Sequence, residues 1–573
     1  MPSNSRKETA LYRKRLHFRT ITNPRKLNAR TRPIKDKIYC WMTMTSMDLI
    51  ETPNSVFVKK AVYWGIIGLI IAGIYLQTEG IGKDSFFIDE LYHVYAAKSL
   101  NENHTLSLPS GNSYERASIY TALVSISFKI FGISEFSARI PSVVCGLLYL
   151  FFYYFIVSNL FNRKVAILST LMLVFSYMQI YYTKNCRMYS LLQLTYAGMV
   201  YCFYKIISHW MPEAGNLKFR FPNNFSLNDL SLIIIFILAA WISYNLQIIS
   251  LLFLPSALIF IALIAIENVR KKIRSNRSML IFLTFGIFAV LTVATYLLRG
   301  PLSDLYEHYF FVPPWSEDRA DNFLFYMGVL KHETLLLWLL IPIGAAIAIY
   351  QFGRPAQCII CFLAIPFLIL SPLPLKAARY IYHVYPFGLI FISVALVALI
   401  EKVSAKIKFS RFRKKGLLEG LWLLAITIFI GMNISNSYVE SKLYLYDRPD
   451  WKKVAALTRG QVNAGDIVVA DNPIAAKYYL GRVDYVINEN LLQISRRHED
   501  RDSDGLWRDY YTNALQIGSV EDLEKVNNGH KKVLVFLGHK GRGFKEIIRY
   551  IRQNYRPVSV NLGSVGIQVY QSK

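Results

Sequence analysis

Acidic residues are scarce in this chain of 573 residues, where 38 Asp and Glu stand against 65 Lys and Arg for a net charge of +27. In a soluble protein that excess would suggest nucleic acid. Here the cations gather between apolar runs, which makes them a topology signal and removes nucleic acid from the expected partners. Cysteine is also scarce. All six lie at or before Cys361, so no disulfide framework supports the polar C-terminal part. Cys358 and Cys361 form a CxxC inside an apolar run and read as small buried side chains rather than a redox or metal pair. The chain has no HExxH zinc motif, P-loop or dinucleotide fingerprint, and it lacks the internal repeat and mid-membrane charges of a secondary transporter. Residues 1–55 lack the apolar core of a cleavable signal peptide and read as a basic, disordered cytoplasmic tail.

What is plentiful is apolar sequence, at 53% of residues. Runs near 61–76, 140–161, 165–182, 188–207, 230–247, 248–266, 278–298, 334–350, 357–371, 381–400 and 417–435 approach the length that a hydrocarbon core of about 30 Å requires. The expected class is therefore an α-helical polytopic membrane protein with about eleven transmembrane helices over 56–435. A twelfth stretch, 117–131, is short and carries Lys129. Counting it as a crossing would put "RKKIRSNR" (270–277) and "KVSAKIKFSRFRKKG" (402–416) outside, against the positive-inside rule. Left out, it becomes interfacial or re-entrant, and the N-terminus lies in the cytoplasm. The loops 77–139 and 299–333 and everything after Ser435 then face outward together.

From residue 436 the composition changes. "DIVVAD" (466–471), "YVIN" (485–488), "KKVLVFLG" (531–538) and "IQVYQ" (567–571) read as strands, while helical spacing begins at Trp451 and Phe544. The prediction is a small extracytoplasmic α/β domain over 436–573. Its "LGHKGRGFKE" matches no phosphate-binding motif and reads as an ordinary strand-to-helix turn.

The first outward loop opens with "SFFIDELYHVYAAKSL" (85–100). Ile88, Leu91, Tyr92 and Tyr95 share one helical face, and Asp89 and His93 share another. A helix of this kind lies in the membrane interface, where a partly desolvated carboxylate could serve as a general base. The plainer reading is a helix-start acid favoured by the macrodipole.

"GNSYERASIYTALVSISFKIFGISEFSARIPSVV" follows, then "YYTKNCRMYSLL" (181–192) and, much later, "KAARYIYHVYPF" (376–387). In order and spacing these stretches resemble the polyprenyl-phosphate-sugar-dependent glycosyltransferases of the GT-C class. The likeness is strongest to the bacterial family grouping with protein O-mannosyltransferases and lipid A aminoarabinose transferases, and it runs from about residue 60 to 400. It extends more weakly into 447–471. The resemblance implies that Asp89 is the loop carboxylate acting on the acceptor and that Glu90 is its supporting partner. It places Glu115 and Arg116 beside the donor phosphate, Arg187 and Tyr189 at the Arg-x-Tyr positions near the cavity mouth, and Arg379 and Tyr380 near the lipid phosphate, with Lys376 and His383 close by. Many relatives carry Glu two residues before that first Arg. This chain has Asn185, which can still hydrogen-bond a sugar hydroxyl.

These readings converge on a multi-pass protein of the plasma (inner) membrane that moves a sugar, with inversion, from a polyprenyl-phosphate-linked donor to a hydroxyl of a glycan, lipid or protein acceptor outside. No organic cofactor is implied. A divalent cation is allowed, since Asp89, Glu90, His93, Glu307, His308 and His383 are all expected to face outward. The rival classes are a transporter and a membrane-anchored binding protein that uses its C-terminal domain.

Overall fold

The computed structural model describes residues 67–210, 226–272, 322–406, 449–498, 501–503, 505–528, 532–538, 544–558 and 566–573. Its N-terminal helices are α1 (Ile67–Thr78), α2 (Ile88–Asn103), α3 (Ser118–Phe131), α4 (Glu135–Leu160), α5 (Arg163–Val174), α6 (Tyr177–Thr183), α7 (Tyr189–Trp210), α8 (Leu227–Leu246) and α9 (Phe253–Lys272). After the next undescribed stretch come α10 (Phe325–Thr334), α11 (Leu340–Phe352), α12 (Arg354–Leu370) and α13 (Tyr385–Lys406).

Among the described residues, five helical stretches are long and apolar enough to cross a membrane: 135–160, 227–246, 248–267, 325–352 and 385–403. The runs at 278–298 and 417–435 lie outside the described residues. On α8 the alternation is plain: Ile234, Ile235, Ile237, Leu238 and Trp241 are exposed while Ala239 and Ser243 are buried, which is the pattern of a helix with one face toward lipid. The 14 residues of α3 span only about 21 Å at 1.5 Å per residue, too short for a straight crossing.

The run 165–182 is expected to be one crossing. Instead it breaks into α5 and α6, bent by 60°. No proline or glycine marks the break. Ser176 caps α6 by accepting from the Gln179 amide, and the buried Glu333 of α10 accepts from the Ser176 hydroxyl (2.7 Å) and from the Met178 amide (3.1 Å). A carboxylate supplied from another helix thus satisfies the polar groups that the break exposes, as an irregular backbone at membrane depth requires. Gly146 of α4 makes the approach of α6 feasible, because a Cβ there would lie 2.5 Å from the Thr183 hydroxyl. Close backbone contact through small residues is a general feature of membrane helix packing.

The C-terminal part carries α14 (Trp451–Thr458), β1 (Ile467–Ala470), α15 (Pro473–Leu480), β2 (Tyr485–Val486), α16 (Glu489–His498), β3 (Leu515–Gln516), α17 (Val520–Asn528), β4 (Val533–Gly538), α18 (Lys545–Asn554), β5 (Arg556–Pro557) and β6 (Ile567–Gln571). The sheet order is β3-β2-β1-β4-β6-β5. β1 to β4 run parallel, with Ile467 opposite Val533, and β6 is antiparallel to both β4 and β5. The period of two divides the strands between two cores. Ile467, Val469, Val533, Val535 and Leu537 pack with Leu523, Ile547 and Ile551 of α17 and α18. Val468, Ala470, Leu534 and Phe536 join Trp451, Ile474 and the apolar core of the helical part. All four expected strands are present. β3 and β5 have two residues each and fall below the length at which a strand pattern can be read.

Candidate active site

Four segments converge at the start of α2. The second of its two acidic residues, Glu90, is fully buried. Its two oxygens receive the Nε and Nη2 of Arg139, each at 2.9 Å, in a bidentate pair. Glu90 also accepts from the Phe87 amide (2.8 Å) and the Cys186 amide (2.7 Å). Arg139, equally buried on the first turns of α4, spends its remaining donors on the carbonyls of Ile81, Asp84 and Ser85. This one pair therefore fixes the loop entering α2 and the Cys186 amide beside Arg187. A buried pair is tolerated when its further hydrogen bonds are made, and here they are. The helix-start reading thus fits Glu90, whose carboxylate satisfies an amide at its own helix start.

Asp89 is placed differently, with about a third of its side chain exposed. Its Oδ2 lies 3.3 Å from the Arg187 Nη2, and the Arg187 Nη1 donates to the Asp89 carbonyl at 2.8 Å. The carboxylate therefore meets a guanidinium, where the helical pattern of 85–100 by itself suggests an interfacial, partly desolvated setting. Arg187 is buried and lies over the Tyr189 ring at 5.5 Å. Burial alone would weaken its charge, but Asp89, Tyr189 and Tyr114 outweigh it and hold the guanidinium above the ordinary arginine range. The expected Arg-x-Tyr unit is thus a single stack. Asn185 is buried and donates to the Tyr181 carbonyl at 2.9 Å, so this amide group serves the turn that presents Arg187.

Glu115 and Arg116 are exposed on the loop between α2 and α3. Glu115 accepts from the Ser113 hydroxyl, and Arg116 reaches the Gln247 side chain at 3.4 Å. The charges of Arg116 and Arg187 both act on Tyr114 and on His93. His93 is buried with its Nδ1 2.9 Å from the Thr121 hydroxyl. Burial first, then Arg187 and Arg116, hold its pKa well below the ordinary histidine value, and it stays neutral.

The late motif folds as a turn between α12 and α13. Arg379 is partly exposed, with its guanidinium 5.2 Å from the buried Tyr380 ring. Tyr382, three residues later, packs on Tyr182 at 4.6 Å and donates to the Gln179 side chain at 3.0 Å. Tyr182 in turn contacts Tyr189 at 5.3 Å. A continuous tyrosine path thus links the Arg379 turn to the Arg187 stack. Lys376 and His383 do not share the exposed position of Arg379. Lys376 is buried and donates to the Leu373 carbonyl. His383 is fully buried against Tyr196 at 4.5 Å, with neither ring nitrogen hydrogen-bonded among the described residues.

Glu333 carries no motif in the sequence, and Arg139, although it lies in the quoted stretch that ends in "SEFSARIPSVV", has no role assigned to it there. The only local signal for either is a charge beside an apolar run. Among the described residues, no group of three His, Cys, Asp or Glu is placed to hold a metal. Glu307 and His308 of the cation-ligand set lie outside those residues.

Comparison with known proteins finds a family model that matches part of the chain and solved structures that share its fold. A family model for dolichyl-phosphate-mannose-protein mannosyltransferase matches residues 116–216. ArnT from Cupriavidus metallidurans bound to undecaprenyl phosphate shares the fold with a TM-score of 0.58 and 12% identity, over 89% of this chain and 98% of that one. In its apo state ArnT gives 0.56, 11% identity and the same coverage. The archaeal oligosaccharyltransferase AglB from Archaeoglobus fulgidus, in complex with an inhibitory peptide and a dolichol-phosphate, gives 0.53 and 11% identity over 84% of this chain and 70% of that one. A search of curated protein sequences finds no match.

Proposed function

We propose that this chain, which has the GT-C fold and is related to the protein mannosyltransferases and ArnT, is a membrane glycosyltransferase that takes a sugar from a polyprenyl-phosphate donor. The acceptor hydroxyl oxygen attacks the anomeric carbon, and the bond from that carbon to the phosphate oxygen breaks. The electron pair leaves with the polyprenyl phosphate. The hydroxyl proton passes to the Asp89 carboxylate, and attack opposite the leaving group inverts the centre.

One observation carries this reading: of two adjacent carboxylates, Glu90 is consumed by a buried arginine while Asp89 is held at the surface of the site by Arg187. The Arg187 fork sets the direction of the carboxylate, and a positioned base is worth far more than a mobile one. Arg379 and Arg116, both partly or fully exposed, are assigned to the departing phosphate through charge-assisted hydrogen bonds. By precedent at oxyanion sites each contributes about 3 kcal/mol to the transition state. Such a donor keeps its chain in the bilayer and needs no nucleotide-binding site. A divalent cation at the phosphate is the alternative counter-charge, and activity that survives chelation assigns the role to the arginines.

The test is transfer in membranes supplied with radiolabelled lipid-phosphate sugars of mannose, aminoarabinose and uronic acid types. Label moving to a glycan, lipid or protein supports the transferase. Label that stays on the lipid with every donor leaves the transporter or binding-protein reading. Envelope glycans compared by mass spectrometry between parent and deletion strain then identify sugar and acceptor through the one that is missing.

A further inference from the structure

We infer that the C-terminal sheet part completes the acceptor subsite through Tyr511, and that the acceptor presents a carbohydrate ring there. The inference rests on the transferase reading for the word acceptor, while the contacts that carry it are independent of that reading.

Between α16 and β3 the chain makes an excursion, folded back on itself by isolated bridges from Arg501 to Trp507 and from Arg508 to Leu515. Its tip is a rigid turn. The buried Asp509 accepts from the Thr512 amide (2.8 Å) and hydroxyl (2.6 Å), and the Asn513 amide, in left-handed conformation, donates to the Asp509 carbonyl. The turn presents Tyr510 and Tyr511 to the loop that follows α2. Ser110 Oγ and Asn112 Nδ2 both donate to the Tyr510 carbonyl at 2.7 Å, and the Ser110 amide donates to the Tyr511 carbonyl at 3.2 Å.

So fixed, the Tyr511 ring stacks on Tyr92 with centroids 4.7 Å apart and planes at 24°, and Tyr92 lies 5.7 Å from Tyr114. Tyr92 follows Asp89 by three residues, about one helical turn along α2. The Asp89 charge acts on both Tyr92 and Tyr114, and all three tyrosines are half-buried. Three segments distant in sequence thus build an aromatic wall beside the candidate base. Docking alone does not require Tyr511. The same C-terminal part is anchored elsewhere by Tyr478 against Phe86 and Tyr95, by Tyr479 accepting from the Phe86 amide, by Asp450 with Ser85, and by Lys452 with Glu135.

Neutral rings with hydroxyl rims offer an apolar face for the C–H side of a pyranose and polar edges for its hydroxyls. A peptide acceptor bound in extended form would instead look for a sheet edge. Among the described residues the wall is flanked by isolated bridges, Ser107 to Ser113 and Arg508 to Leu515, and by the edge strand β3, which is only two residues long.

The experiment is saturation-transfer NMR on the full-length protein in nanodiscs, with methyl glycosides of glucose, galactose and mannose as probes and a Ser/Thr hexapeptide as comparison. The expected result is saturation of the ring protons of at least one glycoside, cut by about fivefold in Tyr511→Leu, as the loss of one aromatic contact implies. The signal should be kept in Tyr511→Phe and in Tyr478→Ala, the variant that loosens docking away from the wall. A signal from the peptide alone, silence from every glycoside, or equal loss in Tyr511→Phe overturns the inference. Glycoside binding in a protein that moves no label from any lipid-phosphate sugar would instead count against the transferase reading and leave the wall standing.

Discussion

Around Asp89 and Glu90 the chain is fixed by charge, through a bidentate Glu90–Arg139 pair, an Asp89–Arg187 pair, main-chain carbonyls that accept from both arginines and main-chain amides that donate to Glu90. Around 376–383 it is fixed by packing: Tyr380 and Tyr382 are buried, Lys376 is turned into its own backbone, and Arg379 alone of the basic pair keeps exposed surface. The contrast separates two jobs that share residue types. Buried ion pairs set geometry, since their donors are already committed. Half-exposed cations such as Arg379 keep part of their surface open, and it is this surface that the proposed function assigns to the donor phosphate.

The sharpest way to break this comparison is Glu90→Gln, which leaves Arg139 charged and buried. Losing one partner of such a pair should cost about 3 to 5 kcal/mol, measured as a large fall in thermal midpoint in detergent. The Glu90→Leu/Arg139→Met double variant should recover part of it, because two apolar residues leave no uncompensated charge. Arg379→Gln, at the other end, should lower turnover by about a hundredfold, near 3 kcal/mol, with the melting temperature unchanged. Were it instead to unfold the protein, the distinction between the two ends would fail.

A smaller effect separates the C-terminal turn from both. Burial pushes the Asp509 carboxyl up to about 6, against the pull of the Thr512 hydroxyl and amide. A carboxyl raised in the folded state favours the protonated form there. Its contribution to stability is therefore full below pH 4 and is lost as pH rises through about 6. The turn should thus be held less firmly at pH 8 than at pH 5, by about 1.4 kcal/mol. Asp509→Asn should flatten that difference, read as amide exchange at residues 510–512.

Much of this architecture was legible in the sequence. Apolar length located the helices, short apolar runs located β1, β2, β4 and β6, and the Asp-Glu, Arg-x-Tyr and Arg-Tyr motifs named the residues of the candidate site. What stayed hidden depends on contacts between distant segments. Glu90 and Arg139 are 49 residues apart, and no local pattern says which of two neighbouring carboxylates an arginine on another helix will take. The break between α5 and α6 is stabilised by Glu333, 157 residues beyond Ser176, and nothing in the apolar run 165–182 announces it. His383 reads as a ligand because it follows Arg379 and Tyr380, yet the turn rotates it into the core against Tyr196. The aromatic wall needs Tyr92, Tyr114 and Tyr511, whose separation in sequence conceals their meeting.

The account stands on the different fates of two adjacent acids, and the measurement closest to it is turnover and thermal midpoint of Asp89→Asn with a lipid-phosphate sugar that the wild-type protein uses. The prediction is a midpoint within a few degrees of wild type, since the partner of Arg187 that is neutralised is partly exposed and Asn keeps an acceptor oxygen for the guanidinium, and turnover reduced by at least about a hundredfold, as loss of a general base implies. Near wild-type turnover in a well-folded Asp89→Asn protein would contradict it.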